Sequence, residues 1–209
     1  QGLNQRGEGV LHGMARVLAP TQRVRSPRVN VPQIQLFDPE ARLRALLSLG
    51  DGLPAVRCGI VHPCDIDSLG GAIDAARHGL IDPVLIGPEA KLRELAEEAG
   101  IDLAGIAIEA VPHSHAAALR AAELAADRKV EALMKGSLHT DEMIHAVLAN
   151  PALRTARRMS HVFRFDVPTY AKPLLLTDAA LNIRPSLADK VDIVQNAIAF
   201  ARIMGTALP

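Results

Sequence analysis

Residues 130–142 read VEALMKGSLHTDE, and this stretch decides the fold class. Residues 130–134 are mostly apolar and predict a buried strand, whereas the polar turn behind them leads into a helical pattern over residues 140–149. The unit is repeated upstream, where strands are predicted at residues 55–61, 83–86 and 106–111 with helices between them. The order βαβαβαβ predicts an α/β fold with a doubly wound parallel sheet and right-handed crossovers.

Capping residues predict where these helices begin and end. Asp67 and Ser114 are predicted N-caps, since their side-chain oxygens can accept hydrogen bonds from the N–H groups of a first turn. Pro88 is expected at the first helical position, where its missing N–H costs nothing, and Gly100 is expected just past a helix end.

After residue 159 the pattern changes. Residues 160–167 and 172–177 predict a hairpin, and residues 186–204 predict a last helix that ends at Gly205. One stripe of this helix is apolar and consists of Leu187, Val191, Val194, Ile198 and Ala201. We expect the surface that covers the stripe to lie beyond residue 209, so that a second domain begins at residue 159 and is incomplete.

Residues 1–39 differ in texture from the rest of the chain. They are rich in Gly, Pro and Arg, as is typical of a linker. Val10, Leu11, Val17 and Leu18 predict a last strand of a domain that starts upstream, because so short an apolar segment has no face of its own to bury against. We therefore divide the chain into 1–39 (tail and linker), 40–158 (first α/β domain) and 159–209.

Composition argues against several classes of protein. The 23 basic and 23 acidic residues cancel, and one Tyr, four Phe and no Trp leave little to stack on bases, which argues against nucleic acid as a partner. No apolar run approaches the roughly 18 residues of a membrane span, and we expect a cytoplasmic protein. Cys58 and Cys64 lack the spacing of a zinc or redox motif and are predicted to be buried thiols.

Three polar loops are candidate binding sites. The first follows the strand at residues 130–134, at the edge of the sheet where α/β proteins bind ligands and where free N–H groups of a helix start favour an anion. Its candidates are Lys135, Gly136, Ser137, His139 and Thr140. An ordinary strand-to-helix turn capped by Thr140 remains the alternative.

The second loop places Arg154, Arg157 and Arg158 within five residues, just before Ser160. Guanidinium groups bind phosphate oxygens in pairs, so the cluster predicts a phosphate or nucleotide-like ligand; a solvated charged loop is the alternative. The third loop contains Asp178 and Asn182, which either orient a substrate or cap a turn.

Two further groups of residues are weaker candidates. His62 and Cys64 follow the strand at residues 55–61, also on the ligand side, but nucleophilic catalysis by Cys64 would need a histidine beside it in space. His113 and His115 have the spacing of a strand or turn, so no metal is predicted.

Four segments together resemble the phosphate acetyl/butyryl transferase family over residues 56–208. They are residues 132–142 (ALMKGSLHTDE), 153–163 (LRTARRMSHVF), 176–185 (LTDAALNIRP) and 188–197 (ADKVDIVQNA). Short sequence elements within these segments look closer to the phosphate butyryltransferase branch of the family than to the acetyl-specific branch. The segments look closest to those of bifunctional enoyl-CoA hydratase/phosphate acyltransferase proteins, in which a MaoC-like hydratase domain precedes the transferase. Residues 4–20 resemble the tail of such a hydratase.

This resemblance implies an isocitrate-dehydrogenase-like two-domain fold that binds acyl-CoA and inorganic phosphate in a cleft, as a homodimer without a metal or a permanently bound cofactor. Coenzyme A is then a substrate. The three polar loops would contact phosphate and CoA, whereas the Ser-Arg and Asp that look catalytic in the family have no match in this chain. His145 stands where many relatives carry Arg, which would weaken a contact to a CoA phosphate or make it depend on pH.

Two functions are therefore expected from the sequence. The first is acyl transfer between coenzyme A and phosphate by the whole protein, with the catalytic base unidentified and this chain alone inactive. The second is a non-catalytic acyl-CoA-sensing domain, like the similar domain fused to some malic enzymes. The absence of a GxGxxG fingerprint before residue 39 favours the first.

Overall fold

A computed structural model describes residues 2–11, 13–14, 38, 40–167, 170, 172–207 and 209. The chain forms two compact units, Gln1–Phe37 and Asp38–Pro209. In the first, strands β1 (Gly2–Leu3) and β2 (Gly9–Leu11) pair antiparallel. The predicted strand residues Val10 and Leu11 lie in β2, whereas Val17 and Leu18 fall outside the described residues.

A four-stranded parallel sheet forms the centre of the second unit. Its strands are β3 (Val56–Val61), β4 (Ile81–Gly87), β5 (Ala107–Ala110) and β6 (Ala132–Lys135), in the order β5-β4-β3-β6. The helices before and between them are α1 (Ala41–Leu47, extended by a 3-10 turn at Ser48–Gly50), α2 (Ile66–Arg77), α3 (Glu89–Glu98) and α4 (Ser114–Ala126). The predicted α/β alternation is confirmed.

The sheet is covered on both faces, because successive strand residues point to opposite sides. Ile60 and Leu85 pack with residues of α2 and α3, whereas Val61 and Ile86 pack with the alanine-rich face of α4. All four strand side chains are fully buried. The predicted burial of the two cysteines is confirmed, and burial raises the pKa of both thiols.

The two predicted N-caps were wrong by one or two positions, and Thr140 is not the cap that the alternative reading of the first polar loop expected. Asp65, not Asp67, caps α2 by accepting from the Ser68 N–H, and His113, not Ser114, caps α4 through its Nδ1. Thr140 is the first residue of the following helix rather than its cap. Pro88 precedes α3 instead of occupying its first position.

The remaining elements follow the sheet. They are α5 (Thr140–Ala149, followed by a 3-10 turn at Pro151–Leu153), β7 (Val162–Phe165), β8 (Leu174–Thr177) and α6 (Leu187–Ile203). Strands β7 and β8 form the predicted antiparallel hairpin. Helix α6 starts with a capping box between Ser186 and Asp189 and ends at Gly205, whose φ of +86° closes the helix as predicted. Within the part of the chain that the structure describes, no helix combines the length and apolarity of a membrane span.

The apolar stripe of α6 is only partly buried. Ala201 is buried, whereas Leu187, Val191 and Val194 are 81%, 49% and 51% exposed. Strand β8 of the hairpin packs on the same helix.

Candidate functional site

The order of the parallel strands reverses between β3 and β6. Strands β3, β4 and β5 run outward in sequence order, and the chain then returns to place β6 on the other side of β3. Ligands of open α/β sheets bind outside the carboxyl ends of strands at such a switch point. His62 follows β3 there, and Lys135 ends β6.

The first polar loop lies at this point and is held against β3. Gly136 N donates to Val61 O (2.9 Å) and Ser137 N donates to His62 O (2.8 Å). A Cβ on residue 136 would come within 2.6 Å of Val61 O and 2.7 Å of His62 O, so only glycine fits. The two amides are therefore already satisfied, so they are not among the free N–H groups expected at the helix start.

Two side chains around this loop contact its backbone carbonyl groups. His62 Nδ1 lies 2.9 Å from Ser137 O, and Lys135 Nζ donates to Gly136 O (3.3 Å). The pKa of Asp65 is lowered first by the Ser68 N–H and further by hydroxyl donors, among them that of Ser137.

The second and third polar loops share one groove, which we call the arginine groove. It is lined by Ile144, Leu148, Leu153, Arg154, Thr155, Arg157, Arg158, Met159, Ser160, Val162, Leu181, Asn182 and Asn196. An adjoining groove, the helix-start groove, is lined by Thr140, Asp141, Ile144, His145, Leu148, Ala149, Arg154, Ala180 and Leu181. Because the two share Ile144, Leu148, Arg154 and Leu181, they form one surface that reaches from the start of α5 to the arginine loop.

The three arginines have different environments. Arg154 donates from Nε and Nη2 to Leu148 O at 2.9 and 2.7 Å, so its guanidinium caps the carboxyl end of α5. Arg158 donates to Asn182 Oδ1 and lies 3.3 Å from the Asp189 carboxylate. Among the described residues, the guanidinium of Arg157 has no hydrogen-bond or ion-pair partner. Arg157 therefore has the most donors available for a ligand.

Asp178 does not line the groove; its carboxylate accepts hydrogen bonds from other residues of the third loop. Its Oδ1 accepts from the N–H groups of Ala180 (3.0 Å) and Leu181 (2.9 Å), and Asn182 Nδ2 donates to its Oδ2. Burial alone would raise the pKa of Asp178, but these donors outweigh it and lower the pKa to about 2. The carboxylate thus stays charged and fixes the orientation of Asn182.

Sequence reasoning missed Asn196, which lies on α6. Its Nδ2 donates to Arg158 O and to Ser160 Oγ, both at 2.9 Å, while Asp192 accepts from Arg158 N at 3.0 Å. Side chains of helix α6 therefore hold the arginine loop in place, mainly through the backbone groups of Arg158. The only sequence signal was the position of both residues within the DIVQNA segment.

A further cavity lies between the β7–β8 hairpin and α6 and is lined mostly by apolar side chains. It contains none of the predicted site residues. In the described ranges, no group of three or more His, Cys, Asp or Glu side chains is arranged to hold a metal ion.

The fold and these loops define an open α/β protein with polar residues at the carboxyl edge of its sheet and beside it. Residues 109–209 match the family model described as phosphate acetyl/butaryl transferase. The part of the chain that this model matches belongs to the phosphate acetyl/butyryl transferase family.

Curated relatives agree with this membership. The chain is 57% identical over 146 residues to a phosphate acetyltransferase of Rhizobium meliloti, covering 69% of this chain and 46% of that protein. A phosphate acetyltransferase of Rickettsia felis is 52% identical, with 73% and 44% covered. A phosphate butyryltransferase of Clostridium acetobutylicum is 35% identical, with 65% and 46% covered. The chain spans about half the length of these relatives, and it is more similar to the two named for acetyl transfer than to the one named for butyryl transfer.

Two solved structures share the fold. A branched-chain phosphotransacylase from Enterococcus faecalis has a TM-score of 0.57 at 22% identity, covering 72% of this chain and 52% of that chain. A phosphotransacetylase from Staphylococcus aureus has a TM-score of 0.60 at 17% identity, covering 76% and 58%.

Proposed function

We propose that the protein to which this chain belongs transfers an acyl group between coenzyme A and inorganic phosphate. The observation that carries the proposal is the arginine groove, where Arg157, Arg158, Ser160 and Asn182 line one surface although they come from two loops. Such a surface suits an anionic substrate, since guanidinium and amide N–H groups are donors for phosphate oxygens.

The grooves fit both substrates by their chemistry. The arginine groove combines cationic and amide groups with apolar side chains such as Leu153, Met159 and Val162. Phosphate groups need the former, and the pantetheine arm of CoA, which is partly apolar, can pack on the latter. The helix-start groove adds Thr140 and His145. We assign substrate, phosphate or CoA binding to Lys135, Gly136, Ser137, His139, Thr140, Arg154, Arg157, Arg158, Ser160, Asp178 and Asn182.

The roles within this set differ. Arg157 would contact substrate directly. Arg158 and Asn182 would also contact substrate while keeping the hydrogen bond between them. Asp178 would act by orienting Asn182. Gly136 and Ser137 would shape the loop rather than donate their backbone N–H groups, because those groups already have partners.

The finer assignments rest on the family resemblance. Residues 40–158 would form the first domain and residues 159–209 the start of the second, in a cytoplasmic homodimer without a resident cofactor. Residues 1–39 would be the tail of an enoyl-CoA hydratase domain, which would make the whole protein bifunctional.

Turnover tests the proposal. Acetyl-CoA or butyryl-CoA is mixed with phosphate, and release of free CoA thiol is followed. Phosphate-dependent thiol release supports acyl transfer. If acyl-CoA binds without thiol release in every length of the polypeptide, the acyl-CoA-sensing function is favoured instead.

A further inference from the structure

Asp192 and Asn196 lie one turn apart on α6 and both bind the backbone of one residue, Arg158. Asp192 Oδ2 accepts from Arg158 N at 3.0 Å, and Asn196 Nδ2 donates to Arg158 O at 2.9 Å. Residues four positions apart face the same side of a helix, so the two side chains meet this peptide segment together. The backbone of the arginine loop is therefore fixed against α6 before a ligand binds.

The orientation of the Asn196 amide follows from its partner. A carbonyl oxygen only accepts hydrogen bonds, so the atom that lies 2.9 Å from Arg158 O is the NH₂ nitrogen. The same nitrogen lies 2.9 Å from Ser160 Oγ. Because an amide nitrogen can only donate, the oxygen of Ser160 must be the acceptor in this second bond.

This bond leaves the hydrogen of the Ser160 hydroxyl unused. A hydroxyl has one hydrogen to donate, and within the described part of the chain that hydrogen has no acceptor. Ser160 is half-buried and lines the arginine groove, as do Arg157 and Asn196. Since one lone pair of the oxygen is occupied from α6, the hydrogen points away from Asn196 and is available to a ligand in the groove.

We propose that Asn196 is a positioning residue that keeps the Ser160 hydroxyl as a donor to a phosphate oxygen of the substrate. The proposal rests on the proposed function and adds to it a residue that acts through another. Both hydrogens of the Asn196 amide are already donated, so none is left for an anion. Arg157 and Arg158 supply positive charge, whereas Ser160 supplies a neutral donor whose direction is set in advance.

Asn196→Asp tests the direction of this bond, because aspartate has nearly the same shape but accepts where asparagine donates. The carboxylate would take the hydrogen of the Ser160 hydroxyl and withdraw it from the groove. In whichever form turns over, this chain or a longer polypeptide that contains it, we expect the KM for phosphate to rise about tenfold or more with kcat within about threefold. A purely structural effect would instead lower the fraction of folded protein, and with it kcat, at an unchanged KM.

Gln195→Glu is the matched control, since it makes the same amide-to-carboxylate change at an exposed position of the same helix. It should leave both constants within about twofold of the parent. Ser160→Ala removes the hydroxyl and should raise the KM for phosphate to a similar extent as Asn196→Asp. Once residue 160 is alanine, we expect Asn196→Asp to add less than about threefold. An unchanged KM in Asn196→Asp, an equal rise in Gln195→Glu, or effects that multiply in the double variant would overturn the proposal.

A second measurement separates this proposal from the proposed function. Calorimetric titration with inorganic phosphate reports binding without turnover, in this chain and in the longer polypeptide. Binding that is about tenfold weaker in Asn196→Asp than in the parent would support the positioning role even without thiol release, in which case acyl transfer alone would fail. Equal binding to the two, or no binding by the parent in either length, would overturn the positioning role.

Discussion

Arg158 donates from Nε to Oδ1 of Asn182, although the two residues lie 24 positions apart in the sequence. This bond joins the arginine loop to the loop that follows β8, and Asp189 on α6 supports it from the other side of the guanidinium at 3.3 Å. The donors of Arg158 are thus oriented before a ligand arrives, which lowers the entropy cost of binding an anion.

Arg157 is the residue whose loss should affect binding most selectively. Arg157→Gln removes a charge that has no partner among the described residues, and hydrogen bonds to charged groups contribute roughly 1.5 to 3 kcal/mol. We expect the KM for phosphate or CoA to rise more than tenfold with unchanged thermal stability. Arg77→Gln on the exposed surface of α2 is the matched control. Unchanged kinetics in Arg157→Gln would contradict its assignment to the substrate.

Arg154 should act mainly through stability. Its two hydrogen bonds to Leu148 O satisfy a carbonyl at the end of α5 and place a positive charge at the negative end of the helix dipole. Because the group is exposed, we expect Arg154→Gln to cost about 1 kcal/mol, or about 2–4 °C in Tm for a chain of this size. Thermal unfolding monitored by circular dichroism measures this, and a Tm equal to that of Arg157→Gln would argue against the capping role.

Two glycine substitutions should have opposite effects. Gly136→Ala would push a methyl group into backbone atoms of Val61 and His62, whereas Gly70 lies in α2 with open space around it. Alanine is preferred over glycine in a helix by about 1 kcal/mol, so Gly70→Ala should stabilise the fold while Gly136→Ala destabilises it. Denaturant unfolding of the two variants tests this. Equal stability would mean that the loop after β6 can move away from β3.

Asp178 should make stability depend on pH in the acidic range. Its pKa is about 2 in the folded chain against 3.8 in the ordinary case, so the stabilisation is fully present above about pH 4 and is lost as the pH falls toward 2. In Asp178→Asn this contribution is absent at every pH. We expect the stability difference between the parent and the variant, measured by urea unfolding, to shrink from pH 5 to pH 2. A constant difference would contradict the hydrogen-bonded carboxylate.

Much of the fold followed from local pattern. The strands had continuous apolar runs and the helices had recognisable ends, so their order and the hairpin at β7–β8 could be predicted. The N-caps were less certain, because Asp65 and Asp67 are equally good acceptors and only the three-dimensional entry of the chain into α2 decides between them. His113 was missed as a cap because a histidine ring nitrogen rarely has that role.

The site was less predictable than the fold. The three polar loops were found from residue type, but the sequence could not show that Arg154 faces a helix end while Arg157 does not. It also could not show that Asn196, on a helix 36 positions after Ser160, holds that loop in place. Such contacts depend on tertiary packing, which local sequence does not encode.

The most direct test of the central claim is phosphate-dependent release of CoA thiol from acetyl-CoA and butyryl-CoA. It is measured on this chain and on a longer polypeptide that contains it, each as the parent and as Arg157→Gln. We predict turnover in the longer polypeptide that requires phosphate and that shows a more than tenfold higher KM in Arg157→Gln. Thiol release in neither form, with acyl-CoA still bound, would contradict acyl transfer.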